Sequence, residues 1–302
     1  MKKSIGSEKL LFCVRDVLVD WLREIRCPGL KLRDLLGDDL GKMLRTRLAS
    51  CVVGTSDEKW PAGLEYACAA VELIHTASLF HDDVVDGATL RRGKPALWKV
   101  FSQNGAILIG DILFCEALSR LSRSPGNRFV GALLEKGREV CIAEAEQEIN
   151  LRGSACDFAT CLRIARGKTG PLFAFTGLAA GDGNKAFSEA MEEAGYRIGT
   201  AYQLADDLID ESGNEASAGK TLGTDRLRRK YTLAQEGPAS AGRIEQEIFT
   251  LCESSLRLLH KWPAAQAGLQ SFIGEALHSA LAHTTSNTPG PGGETAYGIC
   301  MG

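Results

Sequence analysis

Apolar residues recur along this chain at the three- to four-residue spacing of an amphipathic helix. Leu64, Ala67, Cys68, Val71, Ile74, His75 and Ser78 keep that period. Stretches 106–121, 129–149, 158–180 and 186–209 read the same way. Glycine and proline separate them at Gly93-Lys94-Pro95, Pro125-Gly126, Gly153 and Gly181-Asp182-Gly183. β-Branched patches such as Cys51-Val52-Val53 are too short to build a sheet. The pattern predicts an all-α chain, a bundle of mostly antiparallel helices. One predicted helix carries Gly167-Lys168-Thr169-Gly170-Pro171 in its middle. Pro171 has no N–H for the carbonyl of Gly167, so the stretch reads as a kink that presents Lys168 and Thr169, or else as a loop between two helices.

No linker or composition break precedes residue 285, so residues 1–284 are expected to form one domain. The polar, glycine-rich stretch 211–223 reads as a mobile lid, and 285–302, with Pro289-Gly290-Pro291-Gly292-Gly293, as a disordered tail. Of 302 residues 44% are hydrophobic, enough for a core, and the net charge of −3 argues against a nucleic-acid surface. No apolar run reaches the ~18 residues that a membrane span needs, and nothing has the form of a signal peptide. Stable membrane insertion is therefore not expected. Ten cysteines are scattered without a C-x-x-C pair, mostly among small apolar residues, which suits reduced thiols and a cytoplasmic location.

Two acidic clusters carry the chemistry. Asp82-Asp83-Val84-Val85-Asp86 and Asp206-Asp207-Leu208-Ile209-Asp210 each end a helix-periodic stretch in the form D-D-x-x-D. Positions four apart share a helix face, so Asp82 points with Asp86 and Asp206 with Asp210. Clustered carboxylates repel one another unless a cation stands between them. Hard oxygen ligands suit Mg²⁺, which binds through a few carboxylates together with substrate phosphates. Arg91 and Arg92 follow the first cluster, and Lys220, Arg226, Arg228, Arg229 and Lys230 follow the second. Such side chains bind phosphate oxygens directly. The residues read as a Mg²⁺–diphosphate site.

From about Gly41 to Thr232 the chain resembles the trans-isoprenyl (polyprenyl) diphosphate synthase family. Gly41-Lys42-Met43-Leu44-Arg45, the run from Glu72 to Asp86, Arg91-Arg92-Gly93-Lys94-Pro95, Lys168-Thr169, Gln203 with the second cluster, Gly219-Lys220 and Lys230-Tyr231-Thr232-Leu233 match its motifs in order. The resemblance implies an isoprenoid-synthase-type helical bundle around a deep apolar cavity, usually a homodimer. It implies condensation of isopentenyl diphosphate with an allylic diphosphate: the allylic group ionises, the isopentenyl double bond attacks, and a proton is lost. Mg²⁺ is the implied cofactor, three ions per site, with Asp82, Asp86 and Asp206 as ligands and Asp83, Asp207 and Asp210 in support. Arg91, Lys168, Thr169, Gln203, Lys220 and Lys230 would hold the allylic diphosphate, and Lys42, Arg45, His75 and Arg92 isopentenyl diphosphate. On residue type alone, His75 would pass for an ordinary core histidine.

Ala77 and Ser78, five and four positions before Asp82, lie where the growing chain must pass. Both are small, so the product is expected to exceed twenty carbons. The pattern departs from the family at Met43 and Thr46, which stand where an arginine and a proline are usual, and the expected consequence lies at the isopentenyl diphosphate site. The region after Thr232 is short, as if a helix were missing before 244–259, and a Gly/Pro tail replaces a basic C-terminus. The rival readings are a short-chain synthase of the same family, a terpene cyclase, and a non-catalytic subunit of a heteromeric synthase. A cyclase needs no second diphosphate site, and non-catalytic subunits usually lose aspartates that are all present here.

Overall fold

The computed structural model describes residues 5–27, 29–33, 41–53, 60–212 and 238–285; of these, the side chains of 5–7, 211–212, 238–240 and 278–285 are not considered. The described chain is built from helices: α1 (Ile5–Glu24), α2 (Leu44–Val53), α3 (Leu64–Asp86), α4 (Leu97–Ser122), α5 (Val130–Ala145), α6 (Phe158–Ala180), α7 (Lys185–Ser212), α8 (Pro238–Leu258) and α9 (Pro263–Thr285). Between α3 and α4 two short strands, β1 (Leu90–Arg91) and β2 (Lys94–Pro95), pair antiparallel with Arg91 opposite Lys94. Their two-residue turn, Arg92-Gly93, has φ of 53° and 71°, the left-handed pair that a tight hairpin turn requires. The sequence shows this hairpin only as a glycine–proline interruption.

Local chemistry sets the helix ends. Asp157 caps α6 by accepting the Thr160 N–H at 2.8 Å, and Asn184 Oδ1 accepts the Phe187 N–H at 3.1 Å in the first turn of α7. Gly87, in the left-handed region, ends α3 and donates its N–H to the Val84 carbonyl. α4 is interrupted near its start, where Phe101 and Ser102 leave helical geometry. α5 is preceded by a 3₁₀ turn, Asn127–Phe129, and followed by a π-helical turn, Glu146–Asn150.

The core has two parts that meet along α6. One is made largely by α1, α3, α4 and α5, the other by α6, α7, α8 and α9, with α2 contributing to both. Phe173 and Phe175 on α6 are fully buried, one in each part. Each such side chain contributes roughly 1.5–3 kcal/mol on burial. α6 and α7 pack closely: a Cβ on Gly199 would lie 2.7 Å from the Cα of Gly170, so only glycine allows this approach. The contact fixes the register that sets Thr169 opposite Gln203.

α6 runs unbroken through Gly167–Pro171, so the loop reading of that stretch is wrong. Pro171 sits inside the helix, fully packed, and the tight neighbours of Gly170 hold the segment helical despite the missing hydrogen bond. The first two residues of the expected lid, Glu211 and Ser212, are helical and extend α7; the rest of the lid lies outside the described residues. α9 ends at Thr285, where the tail was expected to begin, and 286–302 also lie outside. Among the described residues no helix is long and apolar enough to cross a membrane.

Candidate active site

The three aspartates at the end of α3 are not equivalent. Asp82 and Asp86 are partly exposed, as expected of residues sharing a face, while Asp83 is 1% exposed and turned inward. Its Oδ1 accepts from Arg91 Nε at 2.9 Å and Nη2 at 2.5 Å, which pins β1 to α3. Its Oδ2 is buried with no hydrogen-bond partner. Burial pushes the Asp83 carboxyl above its usual range, and the hydrogen bonds from Arg91 only partly offset this. Burial also works against the charge of Arg91. The hydrogen bond to Asp83, with the fields of Asp83, Asp82 and Asp206, outweighs it and holds the Arg91 pKa above its ordinary value. The Arg91 guanidinium therefore stands within the electrostatic reach of both acidic clusters.

α6 and α7 supply the facing side of the site. Thr169 Oγ1 donates to Gln203 Oε1 at 2.5 Å, and Gln203 Nε2 donates to Asp207 Oδ1 at 2.8 Å. Lys168 Nζ donates to Gln147 Oε1 at 2.8 Å and pairs with Glu144 at 3.1 Å. Gln147 belongs to the π-helical turn after α5, an irregularity of the kind that clusters at functional sites. Gln147, Lys168, Gln203 and Asp207 line a cavity of about 40 Å³, with Cys161 and Ile164 among its apolar walls.

A second polar group lies beside α3. His75 is partly buried, and burial together with Arg45, Arg92 and Arg91 holds its pKa well below the usual histidine value. A neutral imidazole among three guanidiniums is a setting that favours an anion. Arg45 is 7% exposed; its Nε has no hydrogen-bond partner, and its Cζ lies 5.0 Å from the centre of the Phe173 ring. Burial lowers the Arg45 pKa, and the nearby Glu72 carboxyl opposes that shift. Gly41, with φ of 74°, is pressed against Arg92: a Cβ there would lie 2.2 Å from Nη2. Lys42, its neighbour, is exposed.

The site residues expected from sequence thus fall into an acidic pair of clusters with Arg91 between them, a Lys168–Thr169–Gln203–Asp207 wall, and an arginine–histidine group. Asp210 is partly exposed at the end of α7. Lys220 and Lys230 lie outside the described residues. Ala77 is buried in the same core cluster as Val71, Ile74 and Leu133, and Ser78 Oγ donates to the His75 carbonyl at 2.9 Å. Residue types alone did not single out Gln147 and Glu144, which hold Lys168, nor the Glu72–Thr46 contact beneath Arg45.

The carboxylate donors fit Mg²⁺. They are oxygen-only and fixed on helix ends. Among the described residues no three His, Cys, Asp or Glu side chains stand close enough to hold an ion unaided. Oxygen-only donors of this kind suit a hard divalent cation that takes one or two carboxylates and completes its shell with water and phosphate oxygens.

The polyprenyl synthetase family model matches residues 31–237. The chain is 32% identical over 197 residues to the octaprenyl diphosphate synthase of Haemophilus influenzae, covering 64% of this chain and 59% of that protein. It is 35% identical over 188 residues to the heptaprenyl diphosphate synthase component 2 of Geobacillus stearothermophilus, covering 61% and 59%. The matches thus span about three fifths of the length of these relatives. Among solved structures, the polyprenyl synthase of Caulobacter crescentus, complexed with calcium and isoprenyl diphosphate, superposes with a TM-score of 0.66 at 27% identity, over 96% of this chain and 94% of that one.

Proposed function

Because the chain belongs to the polyprenyl synthetase family, we propose that it is a Mg²⁺-dependent prenyltransferase that condenses isopentenyl diphosphate with an allylic diphosphate to make an all-trans polyprenyl diphosphate of more than twenty carbons. The observation that carries this reading is the setting of Arg91, within the fields of Asp82, Asp83 and Asp206 at once. Both D-D-x-x-D clusters thus act on the same guanidinium.

Asp82, Asp86 and Asp206 would hold the metal, with Asp83, Asp207 and Asp210 in support. When bound, Mg²⁺ neutralises charge that develops on the leaving diphosphate. Lys168, Thr169, Gln203 and Arg91 then have a shared task, to hold the allylic diphosphate with its carbon chain directed away from water; Lys220 and Lys230 join them on the same reading. Fixed donors aimed at the leaving oxygens lower the barrier to C–O cleavage because they need no reorganisation. Lys42, Arg45, His75 and Arg92 hold the diphosphate of the second substrate, so that its double bond meets the allylic carbon. Burial of the surrounding α3 and α6 residues excludes water that would trap the allylic cation.

The small side chain of Ala77, five positions before Asp82, supports a long product, since an aromatic ring there would stop a growing chain sooner. Exposed Ile107 and Leu108 on α4, and Leu134 and Ile142 on α5, support pairing with a second copy of the chain. The likeness to a protein named as one component of a heptaprenyl synthase favours a second reading, in which the partner is a different subunit. The purified chain, given Mg²⁺, isopentenyl diphosphate and allylic primers, separates these. Linear products beyond twenty carbons support the proposal, cyclic products or shorter chains correct it, and silence relieved by a second subunit selects the heteromeric form.

A further inference from the structure

Thr46 stands where proline is usual in this motif, and the structure gives the exchange a purpose. Thr46 is the third residue of α2, where backbone N–H groups have no helical partner. Its N–H and its hydroxyl both donate to Oε1 of Glu72, each at 2.9 Å. Proline could make neither bond. Thr46 is fully buried and Glu72 is 5% exposed, so the contact is shielded from water. Glu72 lies on α3 one turn before His75, and its carboxyl sits close enough to Arg45 to favour the guanidinium charge.

The chain just before α2 is strained. Gly41 has φ of 74° and Met43, a non-glycine residue, φ of 48°. A side chain in the left-handed region persists only where its surroundings over-determine it. On one side the Lys42 carbonyl accepts from Arg47 Nε at 2.8 Å, and Gly41 rests against Arg92. On the other stands the Thr46–Glu72 contact.

We propose that Thr46 and Glu72 form a positioning clamp that fixes the Gly41–Arg45 segment against the His75, Arg91 and Arg92 group and thereby sets affinity for the diphosphate of the isopentenyl substrate. The inference rests on the function proposed above. Neither residue needs to touch substrate. The clamp acts through Arg45 on α2 and Lys42 in the turn just before it. Neither Thr46 nor Glu72 hydrogen-bonds a side chain assigned above to the metal or to the allylic diphosphate, so binding of those two should be unchanged.

The test is calorimetric titration of isopentenyl diphosphate into the full chain without allylic substrate, joined to steady-state kinetics for both substrates. Thr46→Val removes one donor, Glu72→Gln weakens the acceptor, and Thr46→Ser keeps both bonds. Thr46→Val and Glu72→Gln should each weaken isopentenyl diphosphate binding about tenfold, equivalent to about 1.4 kcal/mol. The KM for isopentenyl diphosphate should rise with it, while the KM for the allylic substrate holds near the parent value and the melting temperature falls by no more than a few degrees, the cost of one buried hydrogen bond. Thr46→Ser should match the parent. If Thr46→Val does not fold cooperatively, Glu72→Gln decides. Unchanged isopentenyl diphosphate affinity in a chain that elongates normally overturns the clamp alone, as does an equal rise in both KM values. A parent chain that neither binds isopentenyl diphosphate nor elongates overturns the functional reading and the clamp together.

Discussion

Replacing Arg91 with Ala strips the partner from a carboxyl that is 1% exposed. Oδ1 of Asp83 loses donors at 2.9 and 2.5 Å, and Oδ2 already lacks one, so the whole group is left in a dry site. Breaking a buried ion pair from one side costs about 3–5 kcal/mol. The Arg91 side chain is 29% exposed, so water can enter where the guanidinium was, and the lower end of that range applies, about 3 kcal/mol. Asp83→Asn removes the buried charge instead and leaves an arginine that can turn to solvent, at a cost of about 1 kcal/mol. With no buried charge to strand, the double variant should be about as stable as Asp83→Asn, giving a coupling of about 2–3 kcal/mol. Urea unfolding of the four proteins, followed by circular dichroism without metal or substrate, measures each term. A loss below about 0.5 kcal/mol for Arg91→Ala, or simple additivity in the double variant, refutes the reasoning.

Lys168→Ala should lower kcat/KM for the allylic substrate by ~10²-fold or more, the scale of one charge-stabilising donor, and initial-rate kinetics with varied primer reads it directly. Ala77→Phe should shift products to fifteen carbons or fewer while sparing the first condensation, as product chromatography will reveal; unchanged length would place the stop elsewhere. His75 should make folding pH-dependent. Its pKa is held well below 6.5 in the folded chain, so the unfolded chain binds the proton first on acidification. Stability is then full above about pH 6.5 and falls below it, by at most about 1.4 kcal/mol per pH unit, and His75→Gln should flatten that part of the profile in thermal melts.

Period and motif spacing made the helices legible, most cleanly for α7, whose buried positions recur every three to four residues; α3 over 67–74 and α6 over 170–177 are buried on every side. The pairing of Asp82 with Asp86 follows from helix geometry alone. What the pattern could not carry is direction. Asp83 belongs to the same motif as Asp82, yet it turns inward to Arg91, because the hairpin brings that arginine back across the end of α3. The hairpin itself needs Arg92 at positive φ, a conformation that residue type does not announce. Pro171 suggests a break, but the close packing of Gly170 against α7 keeps α6 continuous. The partners of Lys168 come from the last turn of α5 and the π-helical turn that follows it, and the Thr46–Glu72 contact joins residues 26 positions apart. Both are tertiary facts with no local signature.

The central claim is that the two acidic clusters work as one metal–diphosphate site. The most direct measurement is Mg²⁺-dependent elongation by the parent chain, Asp82→Ala, Asp206→Ala and the double variant, with folding checked by circular dichroism. Each single variant should lose about 10²-fold or more in turnover while remaining folded, the double should be hardly worse than either, and a chelator should silence the parent. Robust elongation by either single variant, or by the parent with the metal removed, would contradict the account.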